Sequence, residues 1–172
     1  MLHLFNIQSV PLPVTGRGSR PLGVPASTLI RTAEGDLPVE YLSAGDMVLT
    51  RGNGLQRLLS VAAVMARDVD VVHFTPRALG RANGARPLVI PVAQQVLMHD
   101  WRARIVYGSD SILTPAASLV DGASVQRRRL KSLNLFQLHF EQPQVIWANG
   151  IKLASARTAA PVPRQCAGTR LH

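Results

Sequence analysis

From residue 24 onward the apolar residues come in short runs, and Gly, Pro, Asn or Asp breaks each run after a few positions. Ser27–Thr32 reads as a strand, half β-branched and free of Gly and Pro. Ala33-Glu34-Gly35-Asp36 supplies turn chemistry, with Gly35 free to take positive φ. Leu37–Leu42 carries apolar residues at mixed spacing, and Pro38 excludes a central strand position. That segment is one turn of helix or an extended crossing piece. Ser43-Ala44-Gly45-Asp46 is a second turn, Met47–Thr50 a second strand, and Arg51-Gly52-Asn53-Gly54 a hairpin signal.

The same grammar continues downstream. Leu55–Phe74 predicts strands in a meander, with Asp68, Asp70, Val72 and Phe74 alternating against Val69, Val71 and His73. Pro76–Gly84 is a turn region with an exposed loop at 80–84. Leu88–Pro91 and Gln95–His99 are short strands, and Trp101–Tyr107 alternates with Arg102 and Arg104 on one edge. Pro115–Val120 predicts a helical turn with Pro first, Lys131–Phe140 a strand, and Val145–Ala148 a closing strand. Asn149-Gly150 reads as a type I′ turn. Many short strands with almost no helical period predict an all-β domain. Within the lead-in, residues 1–22, Leu2–Val10 could pair at a sheet edge and the Pro/Gly-rich remainder is a loop. The segment 154–172, rich in Ala, Pro and Arg, predicts a disordered basic tail.

The residues Thr28-Leu29-Ile30-Arg31-Thr32, Gly35, Pro38-Val39-Glu40, Leu42, Gly45-Asp46 and Val48-Leu49-Thr50 resemble the opening of a Hint (hedgehog/intein) domain, in its stand-alone bacterial version. The likeness continues in order through Leu88–Met98, Trp101-Arg102-Ala103 with Tyr107-Gly108, Leu113–Ala116 with Leu119-Val120, and Val145–Gly150. It covers roughly 23–153. The resemblance implies a compact, twisted β fold, with one or two short helical turns, whose ends come together. It also implies descent from proteins that break their own backbone. In such a domain the first residue attacks the preceding carbonyl through a thiol or hydroxyl, and an internal His protonates the departing amide.

On that pattern the nucleophile position is Gly23, which has no attacking atom. The internal His position is Gln94, which cannot transfer a proton near neutral pH. A downstream His position falls near Pro143. The resemblance thus implies a degenerate copy with no catalytic residue, acting as a non-catalytic binding or structural module for an unidentified protein partner. Residual self-cleavage through Ser27 or Thr28 is the alternative, and a basic binder of nucleic acid or an anionic surface is a further one.

The other reactive side chains have plainer readings. Ser19 is a hydroxyl near the expected start, Ser27 opens a strand, and Cys166 is a single thiol in the tail. One cysteine excludes an intramolecular disulfide and a cysteine-based zinc site. His73, His99 and His139 lie singly on strands without metal-ligand spacing, and Asp68 and Asp70 belong to a solvated face. No cofactor and no metal are expected. Asn149 resembles the Asn that inteins cyclise, yet a turn accounts for it.

A net charge of +9 over 172 residues, with 47% apolar content, permits an anionic partner while leaving enough for a core. The excess lies outside residues 27–60, where four acids stand against three bases. Its densest part is Arg127-Arg128-Arg129-Leu130-Lys131, expected as a solvated basic loop. With Arg102 and Arg104 it supports at most weak, non-specific affinity for nucleic acid, because aromatic residues for base stacking are sparse. The interrupted N-terminus does not read as a signal peptide, and no run reaches membrane-span length, so a cytoplasmic location is the expectation.

Overall fold

The computed structural model describes residues 14–15 (backbone only), 21–79, 86–99, 105 and 110–156. Among these, thirteen strands form two sheets, and two short 3₁₀ turns lie in the connections between strands. The all-β expectation holds.

The first sheet is built on a ribbon of two 15-residue strands, β7 (Ser60–Phe74) and β11 (Val125–His139), antiparallel in one register from Phe74 opposite Val125 to Ser60 opposite His139, with the pairing interrupted where Lys131 faces Asp68. β1 (Val14–Thr15) joins β7 in parallel at Met65 and Ala66, and β8 (Leu88–Pro91) joins it antiparallel from Val71 to Phe74. β2 (Val24–Pro25) pairs with β11 at Leu135 and Phe136.

The second sheet runs β10 (Ser111–Pro115), β9 (Gln95–His99), β13 (Ile151–Ala154), β12 (Val145–Ala148), β3 (Leu29–Thr32), β5 (Met47–Thr50) and β6 (Gly54–Arg57). β4 (Gly35–Pro38) pairs with β3 alone, so Pro38 needs no ladder donor. The 3₁₀ turns Val39–Tyr41 and Ala116–Leu119 each follow a proline.

The main core lies between the sheets. It takes Ile30, Val39, Val48, Leu58, Val72, Leu88, Ile90, Val96, Phe140 and Leu153, all buried. A smaller cluster of Ala66, Val69, Val71 and Leu135 covers the other side of the ribbon. The two clusters draw on opposite alternations in the two halves of β7: Val72 and Phe74 enter one, Ala66 the other. The switch falls at Asp68, whose φ of 48° breaks the pleat.

Three buried threonines close the turns beside their strands through their hydroxyls. Thr28 donates to the Pro25 carbonyl (2.7 Å), Thr32 to Gly35 (2.8 Å) and Thr50 to Gly54 (2.7 Å). The Asn149-Gly150 turn has φ of 47° and 87°, the two positive values a type I′ hairpin needs.

Three sequence expectations are corrected. The basic run is not a loop: β11 begins at Val125, so Arg127, Arg128, Arg129 and Lys131 stand on a strand. Val14 and Thr15 pair with β7 where a loop was expected. In the expected strand 101–107 the one described residue, Ile105, is helical. The rest of that segment, including Arg102 and Arg104, lies outside the described residues, as do Leu2–Val10, Ser19, the loop 80–84 and Cys166. The expected disordered tail falls outside them beyond residue 156.

Candidate functional site

Gly23 immediately precedes β2, which sets it against Phe136 of β11. Its φ is +122°, and a Cβ there would lie 2.6 Å from the Phe136 carbonyl oxygen. Two conditions thus exclude a side chain: the dihedral and the contact.

Gln94 sits in the turn between β8 and β9. Its backbone N–H donates to Pro91 (3.0 Å) and its carbonyl accepts from Ala116 (2.9 Å), so the turn is held from both sides. The side chain is 4% exposed and uses both ends of its amide. Oε1 accepts the Gly23 N–H at 3.0 Å, and Nε2 donates to the Ala154 carbonyl at 2.8 Å. One side chain therefore ties the first described residues of the domain to the last strand.

Gln137, in the second half of β11, was not singled out by the sequence. Its Nε2 donates to the Leu22 carbonyl at 3.0 Å. The peptide group between Leu22 and Gly23 is thereby gripped on both polar atoms, the N–H by Gln94 and the C=O by Gln137. This is the bond before the position where the family resemblance places a nucleophile. Both gripping groups are neutral amides, which bind without exchanging a proton near pH 7.

Leu22, Gln94, Gln137, Pro143 and Ser155 line one cavity of about 290 Å³. The three positions picked from the resemblance thus converge: Gly23 bonds to Gln94, and Gln94 and Pro143 face the same space. Beside Pro143, the Gln144 N–H donates to Ser155 Oγ (2.9 Å), the Ser155 N–H donates to the Gln144 carbonyl (2.8 Å), and Asn53 Nδ2 donates to Gln144 Oε1 (2.9 Å).

The remaining candidates lie elsewhere. Ser27 has φ 64° and its N–H donates to Glu40 Oε2 at 2.7 Å, while the Thr28 hydroxyl is committed to Pro25. Asn149 is buried and its Oδ1 accepts the Leu29 N–H at 2.8 Å. Asp70 pairs with Arg127 at 2.8 Å, and this arginine, helped by Arg129, holds its carboxyl below the usual range. Asp68 is exposed. His73 carries a buried Nδ1 with no hydrogen-bond partner, and burial, reinforced by Arg128, pushes its pKa down. His99 meets Arg51 through Nε2 at 3.2 Å and the Asp110 carbonyl through Nδ1 at 3.2 Å. His139 ends β11 in a parallel bridge to Ala156. Among the described residues no cluster of three His, Cys, Asp or Glu gathers at metal-binding distance, and no helix is long and apolar enough to cross a membrane.

The family model described as a Hint domain matches residues 24–160. The chain belongs to the Hint domain family. Among solved structures, the DnaB intein from Synechocystis sp. PCC 6803 superposes with a TM-score of 0.54 at 11% identity, covering 79% of this chain and 99% of that one. The bacterial intein-like domain from Clostridium thermocellum has a TM-score of 0.49 at 13% identity, covering 79% and 99%. The MchDnaB-1 intein has a TM-score of 0.49 at 16% identity, covering 77% and 99%. At these identities the likeness is one of fold. No curated protein matches the sequence.

Proposed function

We propose that this Hint domain leaves its own backbone intact and serves as a non-catalytic binding or structural module. The observation that carries the reading is the 3.0 Å bond from the Gly23 N–H to Gln94 Oε1. Backbone cleavage by this fold needs an attacking heteroatom on the first residue and a proton donor at the amide nitrogen. Gly23 supplies no heteroatom, and its dihedral and its contact with Phe136 leave no room for one. The group at the amide nitrogen is an amide oxygen, an acceptor that holds the N–H in place. The nearby hydroxyls do not replace the missing group, because Thr28 donates to Pro25 and Ser27 has turned into the turn that precedes β3.

The test is an intact-mass measurement of the purified chain after incubation with a strong thiol. The full mass is expected. A discrete cut between Leu22 and Thr28 overturns the reading and returns the chain to the self-processing class.

A further inference from the structure

Among the described residues β11 has an open side. One flank pairs with β7 from Val125 to His139 except at Lys131, whereas among the described residues the other pairs with β2 at Leu135 and Phe136 alone. Upstream of Leu135 no strand lies beside that flank among the described residues. The direction of its peptide groups follows from two contacts. The Thr75 N–H donates to the Ser124 carbonyl at 3.0 Å, so residue 124 faces β7. Val125 faces the other way: its N–H donates to Asp121 Oδ1 at 2.7 Å, and its carbonyl accepts from the Asp121 and Gly122 N–H groups at 3.0 and 3.1 Å. Alternation along a strand then turns the N–H and C=O of Arg127 and Arg129 outward, to the open flank.

An open edge is a template for another strand, and charged side chains restrict what adds to it. Arg127, Arg128, Arg129 and Lys131 are exposed. Asp70 shows what fits them: from the strand on the paired flank its carboxylate reaches the Arg127 guanidinium at 2.8 Å. An acid on a strand added to the open flank occupies the mirrored place. We propose that the edge of β11 around Arg127–Lys131 binds an extended acidic segment of a partner protein by strand addition, with acids at alternate positions facing Arg127 and Arg129. This surface is separate from the Gly23–Gln94 site and does not depend on whether the chain cleaves itself. Nucleic acid fits it less well. Asp70 already neutralises one cation of the row, and phosphates cannot complete the outward backbone pairs.

The test uses the full chain and a labelled alternating Glu–Val peptide of about ten residues, the upper end of ordinary strand length. Saturable binding is expected. N-methylating alternate residues of the peptide keeps every charge and removes the backbone donors of one edge. If the methylated edge faces β11, it is expected to weaken binding by roughly tenfold, the net loss of a few hydrogen bonds. Both methylation registers are compared, and one must weaken binding. The substitutions Arg127→Gln and Arg129→Gln together, on exposed side chains, are expected to abolish binding while the circular-dichroism spectrum stays unchanged. The proposal is overturned if the peptide does not bind, if both methylated registers bind as tightly as the parent, or if duplex DNA of equal charge competes with it stoichiometrically.

Discussion

Gln94 joins residues 71 and 60 positions away, at Gly23 and Ala154, so a change at this one side chain is felt at both ends of the domain. Gln94→Leu is of similar size and removes both bonds, leaving the half-buried Gly23 N–H and Ala154 carbonyl unpaired. Each such group costs about 1–3 kcal/mol, and a lowered thermal midpoint is expected; an unchanged midpoint would show the amide to be unbonded. Gly23→Ser is expected to destabilise by ~1–3 kcal/mol, since it forces a β-carbon into a left-handed dihedral against Phe136. It is also expected to yield no cleaved product by mass. His73 supplies a pH dependence. Burial depresses its pKa in the fold, so the unfolded chain takes up the proton first as pH falls below about 6.5. Its contribution is therefore intact above that pH and is lost as pH falls toward the folded value. His73→Gln should flatten the pH dependence of the melt in this window and leave it unchanged above pH 7.5 or so. The sequence marked Gly23 and Gln94 through a resemblance. Gln137 was illegible because a glutamine at mid-strand looks like any half-exposed residue; its role exists only once β11 lies beside Leu22.

At the scale of elements, the turns were legible and the ribbon only in pieces: Leu55–Phe74 and Lys131–Phe140 read as strands, whereas their pairing and the start of β11 at Val125 did not show. Gly52-Asn53-Gly54, Asn149-Gly150 and the prolines before the two 3₁₀ turns act locally, through dihedrals that a few residues fix among themselves. The long strands are specified by each other. Val61 to Met65 is half-buried on both faces, so it shows no alternation, and three consecutive arginines read as a loop because an open edge needs no apolar face. The ribbon also carries an irregular residue, Asp68 at φ 48°, where the side-chain alternation switches between the two cores. Aspartate tolerates that dihedral through its short polar side chain, and a β-branched residue does not. Asp68→Gly is expected to leave the thermal midpoint equal or higher, and Asp68→Val to lower stability by roughly 1–2 kcal/mol. Equal midpoints for the two variants would mean that the ribbon does not depend on the switch.

For the whole molecule the question is where the fold closes. The family resemblance suggested closure at 153, and composition suggested a disordered tail over 154–172. The contacts place the last fastening slightly later. The Ala154 carbonyl accepts from Gln94, Ser155 exchanges two hydrogen bonds with Gln144, and Ala156 bridges to His139 at the end of the ribbon. These residues bring the second sheet against the first beside Gly23, so they fasten the two ends of the described domain at one place. Two shortened chains separate the possibilities. A chain ended after Ala156 keeps each of these contacts and is expected to melt with the full-length protein. A chain ended after Leu153 orphans Gln94 Nε2 and the Gln144 backbone, at about 1–3 kcal/mol for each buried group. At about 2–4 °C per kcal/mol for a domain of this size, its midpoint should fall by on the order of ten degrees. A melt of the shorter chain that coincides with the full-length one would show that closure rests on β13 alone. The Gln94 amide would then hold Gly23 without fastening the two ends together.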